Sequence, residues 1–398
     1  MNLWERIGSV IWSEWFWFPD NATWKSLENK PGSGVYYPQT SDLLYSFGIA
    51  ISLYIIRLLY EKVVVAPFGV YCGIKTDRPR RAPQNDVLER EYKHKRQPDF
   101  SQLQIYAKRT DMEVRQVERW FRLRRNQDRP SPMKKFTETG WRFTYYFGIW
   151  IYGLLVLYDK EYLWDNRKCW ENFPHQDVTP GIFWYYIIEL GFYLSLMFSQ
   201  FLDVKRKDFF EMFLHHIATV LLLSFSYMGN YLRVGTLVLL IHDCADFWVE
   251  AAKLAKYAKA HRLCDILFAV FAIVWFITRL LLYPLKILKA SWILSVEIVG
   301  FFPSLYFFNG WLCILLVLHF YWFSLICRVA YDALTKSSEV STKDVDDVRS
   351  ESEEPVSDET ENSHMNGNCI KAQNDNAMGN HVDVGNNSVS NHNHTKAG

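Results

Sequence analysis

The sequence predicts an all-α, polytopic membrane protein with about seven transmembrane helices and a small soluble helical module. Three observations lead there. Seven stretches of the 398-residue chain are long and apolar enough to cross a bilayer. The segments between them alternate between basic and acidic. Two long segments, 61–140 and 336–398, are polar and break the apolar pattern. The chain is 49% hydrophobic and 17% aromatic with a net charge of +1, so its even average conceals a membrane body with soluble appendages.

The elements follow in order. Residues 1–41 form an N-terminal segment, with no basic region followed by an apolar core, so no cleavable signal peptide is expected. The apolar stretches are 42–60, 141–158, 181–202, 209–229, 232–252, 264–287 and 305–332. The first, second and sixth are the clearest; the fourth and fifth carry polar residues and are weaker on hydropathy alone. Residues 61–140 hold 19 Lys and Arg against 11 Asp and Glu, and 203–208 and 253–262 are also basic. Residues 1–41 and 159–180 hold more acids than bases. Basic segments stay cytosolic, which places the N-terminus in the lumen and the C-terminus in the cytosol. Asn21, in Asn21-Ala22-Thr23, is then a usable glycosylation site, whereas Asn386 and Asn393 are not. The domain division is 1–41, a first span at 42–60, a cytosolic module at 75–135, a membrane body at 136–335 and an acidic cytosolic tail at 336–398. The seven Cys form no CxxC pair and no regular framework, so neither zinc nor a disulfide scaffold is signalled.

Ionisable side chains inside the hydrocarbon are costly and mark functional sites by default. The fourth span carries His215 and His216, the fifth His242, Asp243 and Asp246, and the sixth Arg279. Asp243 and Asp246 share a helix face, and His242 neighbours Asp246 one turn on. At about 1.5 Å per residue, His215 lies ~9 Å, Asp246 ~10 Å and Asp243 ~15 Å from the cytosolic edge. The turn at 228–231 is short, so the two spans are antiparallel neighbours and these groups meet at one depth. Three readings fit: a polar clamp between helices, a metal site, or acid–base and nucleophilic chemistry. Adjacent histidines diverge by about 100° on a helix, which disfavours shared metal ligation. A histidine oriented by a carboxylate is a standard catalytic unit. Its depth suits a substrate with a cytosolic polar head and an apolar tail.

The stretch "FLHHIATVLLLSFSYMGNYLRVGTLVLLIHDCADFWVEAAKLAKYAKAHRLCD", 213–265, resembles the Lag1 motif of the ceramide synthases, within the TRAM–Lag–CLN8 domain. The likeness includes the double His, "RVGTL", "HDxxD" and the following "EAAKLAKYAK". It implies an endoplasmic reticulum enzyme with six of seven spans forming a barrel. It implies transfer of a fatty acyl group from acyl-CoA to the amine of sphinganine or sphingosine through an acyl-histidine intermediate. No bound cofactor is expected, acyl-CoA being a co-substrate. The implied catalytic residues are His215, His216, Asp243 and Asp246. His215 is taken as nucleophile, His216 as orienting or relaying protons, and the two aspartates as imidazole partner and base. Arg233, His242 and Arg279 are candidate substrate-binding residues. Lys205, Arg206, Lys207 and Lys253 are placed to meet CoA phosphates or simply to anchor the protein. The stretch 288–304, between the last two spans, corresponds to where the family places its chain-length determinants. Membrane lipids and a homo- or heterodimer with other family members are further expected partners.

Within the basic segment, "LQIYAKRTDMEVRQVERWFRLRRNQDRP", 103–130, resembles the latter part of a homeodomain, with Trp120 and Phe121 as core aromatics. Its first helix and arm look truncated. Leu123 stands where the family places its adenine-reading Asn and has no hydrogen-bonding group to offer a base edge. Sequence-specific DNA binding is therefore not expected, although Arg122, Arg124 and Arg125 suit phosphate contacts; a module that positions the second span or meets anionic headgroups is favoured. The tail has too few apolar residues to fold, and Ser341 and Ser350, each with an acid three residues on, are candidate phosphorylation sites.

Overall fold

The structure is a computed structural model that describes residues 8–9, 12–19, 22–74, 81–203 and 208–336. Asn21, Lys205, Arg206, Lys207, Ser341, Ser350, Asn386 and Asn393 lie outside the described residues. Among the described residues there are helices and no strands. The first long helix, α1 (Leu43–Tyr60), is followed by the short helices α2 (Asp86–His94), α3 (Phe100–Thr110) and α4 (Val114–Asp128). Next come α5 (Pro132–Leu157), α6 (Pro180–Ser199), α7 (Phe209–Met228), α8 (Leu232–Tyr257), α9 (His261–Trp275, with its winding continuing to Ile298) and α10 (Ser304–Lys336).

Five helical segments are long and apolar enough to span a membrane: Thr40–Tyr71, Pro180–Ser199, Phe209–Met228, His261–Ile298 and Ser304–Ala333. The two other long helices, α5 and α8, are too polar to qualify. The fourth span, expected to be weak, thus qualifies; the second, expected to be clear, does not; and the fifth, α8, is weak as expected. For α8 the reason is position. Helix α8 packs against α5, α9, α7 and α6, so its charged groups are answered inside the protein and need no apolar surface.

Six helices close into a ring. Taken around it, α5, α6, α7, α10, α9 and α8 each pack on the next, and α8 returns to α5. Helix α1 stands outside, against α6, with only 11% of its span buried, so most of its surface is left for lipid. Small residues allow the close approach. A Cβ on Gly191 of α6 would come within 2.6 Å of Ile49 Cγ2 and 3.0 Å of the Ser46 carbonyl of α1.

One end of the ring is sealed by aromatic packing. Tyr231 packs on Phe173 and Phe308, and Phe173 stacks on Phe302. The Trp170 indole donates to the Ala290 carbonyl at 2.8 Å, and the Asn230 amide donates to the carbonyls of Pro174 and Gln176. The N-terminal segment joins this plug, since the Trp17 carbonyl accepts from the hydroxyls of Tyr231 and Ser304. The other end carries ion pairs: Arg57 with Glu61 and Asp203, Arg142 with Glu250, and Lys253 with Glu250.

Helix α9 departs from the sequence expectation. Residues 288–304 were expected to connect two spans, yet helical winding runs to Ile298. Only then does the chain turn, at Gly300, whose φ of 91° favours glycine. The winding is π-helical over Phe276–Leu288 and Ala290–Leu294. Pro284 lies inside the first of these stretches, where a wider winding accommodates a residue with no backbone donor.

The soluble module is a three-helix unit with its own core of Leu88, Tyr92, Leu103, Tyr106, Val117, Trp120 and Phe121. Its first helix, expected from sequence to be truncated, is present as α2. Asn85 caps it, its side chain accepting from the amides of Val87 and Leu88 at 3.1 Å each. Arg124 does not extend freely. It pairs with Glu89 at 2.8 Å and Asp128 at 2.5 Å and lies over the Tyr92 ring. The hydrogen bond from Arg124 holds the Glu89 carboxyl below its ordinary pKa. Burial of Asp128 works against its charged form, but hydrogen bonds from Arg124 and Tyr92 outweigh it and lower its pKa too. Groups with depressed pKa values stabilise the fold above their unfolded values, about 4, and lose that contribution as pH falls through the folded values. Arg124→Met is therefore expected to cost the module about 1 kcal/mol at pH 7, discounted for solvent exposure. The deficit should fade below about pH 4. Hydrogen exchange across 86–128 in the full chain measures this, and a deficit independent of pH would count against the ion pairs.

Candidate active site

Helix α7 presents both adjacent histidines to its neighbours but in different settings. His216 is buried, and its Nδ1 lies 2.9 Å from Oε1 of Gln200. The Gln200 amide nitrogen donates to the Phe209 carbonyl at 2.8 Å, so the amide oxygen must face the ring. His216 Nδ1 therefore carries the hydrogen, and Nε2 keeps its lone pair. His215 turns toward α6 and α10, with its ring edge-on to Tyr193 and to Trp322. Its Nδ1 is buried and has no hydrogen-bond partner among the described residues.

Helix α8 supplies the acidic groups. Asp243 is fully buried, and its Oδ2 accepts from the Tyr185 hydroxyl of α6 at 3.4 Å. Asp246 accepts from Arg279 of α9 at 2.8 Å. The same guanidinium nitrogen donates to the His242 carbonyl at 2.7 Å, and the guanidinium lies over the Trp275 ring. Arg279 thus pins α9 to α8 across one turn. His242 donates from Nδ1 to the Val238 carbonyl at 2.7 Å, leaving its Nε2 lone pair facing His319 Nε2 at 3.0 Å. Tyr193 ties the two halves together. It packs on both His215 and His216 and lies within electrostatic reach of Asp243 and Asp246.

The ring interior therefore gathers His215, His216, His242, Asp243, Asp246 and Arg279. Neither His215 nor His216 hydrogen-bonds an aspartate among the described residues; an amide, Gln200, orients His216 instead. Arg233 lies away from this cluster. It donates to the carbonyls of Lys168 and Glu171 at the plugged end and sits over Tyr162. No three His, Cys, Asp or Glu side chains among the described residues come together as a metal-binding group. Four interior residues escaped the sequence reading. Glu189 and His319 are both fully buried, and both were detectable as lone ionisable residues within apolar spans. Gln200 and Tyr185 carried no such signal.

Residues 135–328 match the TLC domain family, and residues 78–130 match the Homeodomain family. Human "Ceramide synthase 5" is 46% identical over 86% of this chain and 88% of its own length. The chain belongs to the ceramide synthase family. Mouse "Ceramide synthase 4" is 41% identical over 88% of both chains. "Ceramide synthase hyl-1" of Caenorhabditis elegans is 31% identical over 86% of this chain and 84% of its own. Every residue of the cluster above falls inside the TLC match, which covers all of the ring but the start of α5 and the end of α10.

In this ceramide synthase family member Gln200 becomes the residue that fixes the His216 tautomer. Gln200→Leu keeps the approximate volume but removes both hydrogen bonds, and the imidazole is then free to rotate. A misplacement of this kind is expected to lower turnover about 10- to 100-fold with little change in fold. Gln200→Glu still offers an acceptor to His216 and should retain more activity than Leu. Equal losses in the two variants would show that orientation is not what Gln200 provides.

Proposed function

We propose that the protein is a sphingoid base N-acyltransferase, joining a fatty acyl group from acyl-CoA to the amine of sphinganine or sphingosine to give dihydroceramide or ceramide. The observation that carries this reading is the buried, unpartnered His215 Nδ1 in a ring that also holds a buried carboxyl, Asp243. A neutral imidazole keeps a free lone pair on one of its nitrogens, which in a water-poor setting is a nucleophile toward a thioester, and the same setting protects an acyl-imidazole from hydrolysis.

In the proposed sequence a His215 nitrogen attacks the thioester carbonyl and the carbon–sulfur bond breaks. The CoA thiolate leaves as the thiol after taking up a proton. The sphingoid amine then attacks the acyl-imidazole, forming the amide and releasing the imidazole. His216, held by Gln200, orients or relays protons. The Arg279 pairing points Asp246 to an anchoring role, which leaves Asp243 as the base. His242 and His319 buttress the Arg279 side of the cluster. Acyl-CoA approaches from the ion-paired end, since the opposite end is plugged. That end is taken as cytosolic, with the N-terminus lumenal, in the endoplasmic reticulum membrane.

The test is direct. Purified protein incubated with sphinganine and a panel of acyl-CoAs is expected to yield dihydroceramide by mass spectrometry. No product from any donor would defeat the reading. Glycan mapping checks the orientation, with modification expected at Asn21; modification at Asn393 would reverse it.

A further inference from the structure

Glu189 is a carboxyl inside the ring to which no step above gives a task. It lies on α6, is fully buried, and neither of its oxygens receives a hydrogen bond from any described residue. The polar group it faces is the Asp243 carboxyl on α8. Asp243 takes one hydrogen bond, from Tyr185 to Oδ2, and its Oδ1 has none. Glu189 and Asp243 lie within hydrogen-bond reach of each other, and two buried carboxyl groups so placed are costly unless they hold a proton between them or a cation in its place. With that proton given up, the pair is a receptor for a positively charged donor.

The lipid-facing side of the same region holds an open apolar groove of about 330 Å³ between α5 and α6. Trp141, Tyr145, Gly148, Ile149, Tyr152 and Ile188 line it. Ile188 immediately precedes Glu189, so groove and carboxyl occupy adjacent faces of one helical turn. The wall between them is built of tyrosines. Tyr145 lines the groove, stacks on Phe192, and lies within electrostatic reach of Glu189 and Asp243. Tyr152 packs edge-on against Tyr185, the donor to Asp243.

We propose that the seam between α5 and α6 is the binding site for the single-chain lipid amine, with its hydrocarbon tail in the groove and its ammonium between Glu189 and Asp243. The inference rests on the acyltransferase reading and adds a substrate subsite and a proton acceptor to it. An ammonium nitrogen has no lone pair and cannot attack a carbonyl. One ammonium N–H bond breaks and its proton passes to a carboxylate oxygen of the pair. The neutral amine attacks the acyl carbon, a carbon–nitrogen bond forms, and the bond from that carbon to the His215 nitrogen breaks. The second amine proton passes to the released imidazole, which replaces the one consumed when CoA left as the thiol. The carboxyl then returns its proton to water, so one proton is released per amide formed.

The experiment uses the full chain in native membranes. Glu189→Gln keeps the shape and removes the charge. The expected result is a loss on the order of 100-fold in kcat/KM for sphinganine at pH 7, with KM for acyl-CoA unchanged. The deficit should shrink for a sphinganine analogue whose amine is made less basic by fluorine, and Glu189→Asp should recover part of the activity. Gly148→Phe fills the groove from a position where an added Cβ meets nothing within 4 Å. It should raise KM for sphinganine and leave KM for acyl-CoA as it was. Full activity in Glu189→Gln, an equal deficit for both amines, or an unchanged sphinganine KM in Gly148→Phe would each overturn the proposal. If Glu189→Gln fails to accumulate, Gly148→Phe and Glu189→Asp decide it. A wild-type chain that makes no ceramide would instead defeat the acyltransferase reading itself.

Discussion

His215→Ala is expected to abolish acyl transfer, with a loss of at least ~100-fold, while the protein still folds. The structural reason for intact folding is specific. The His215 Nδ1 serves no partner among the described residues, so alanine removes ring contacts alone, edge-on with Tyr193 and Trp322 and tilted with His216. Such contacts contribute about 1 kcal/mol each beyond their area. The backbone carbonyl of His215, which accepts from Thr219 Oγ1 at 2.8 Å, is unaffected. His216→Ala differs, because it orphans the Gln200 oxygen, and a loss of activity there is mixed with a loss of local order. The decisive measurement is chemical. Protein given acyl-CoA without amine, then denatured and digested, should carry the acyl group on His215. An adduct on His216 would exchange the two roles.

Arg279→Ala is expected to have the largest effect on stability. Its guanidinium is almost wholly buried and holds Asp246, the His242 carbonyl and the face of Trp275 at once. Removing one partner of such a pair leaves a carboxylate without its cation, which costs about 3–5 kcal/mol. Melting of the detergent-solubilised protein, followed by loss of monodisperse material, reads this out. Adding Asp246→Asn to Arg279→Ala should restore part of the loss, because the orphaned charge goes with it. If the double variant is no better than the single one, the ion pair is not what holds α8 to α9.

Most of the helices and the key part of the candidate site were legible in the sequence, for physical reasons. Spanning segments reveal themselves by length and apolarity, and His215, His216, Asp243 and Asp246 stand out as titratable groups in apolar surroundings. The misses have physical reasons as well. The start of α5 at Pro132 and the run of α9 to Ile298 lie beyond the apolar windows that mark the spans, and hydropathy cannot see a helix continuing past its greasy part. Helix α8 tests weakly because its polar groups are answered by neighbours distant in sequence. Glu189 and His319 obeyed the same rule that singled out the histidine pair, but each stands alone, with no motif to draw attention. Gln200 could not have been found, since its importance lies in pointing one end at Phe209 and the other at His216.

The order of helices around the ring has a consequence for biogenesis. Helix α10 is made after the other five helices of the ring yet sits between α7 and α9, so the ring has a missing stave until α10 is in place. That stave brings His319 to His242, Trp322 to His215, and a carbonyl, Leu312, to the Tyr283 hydroxyl. A chain emerging from the ribosome therefore carries its histidine pair through most of synthesis without an enclosed chamber around it. The candidate site is enclosed only after α10 has been made, and a chain cut short before Ser304 is expected to insert in the membrane as an open bundle.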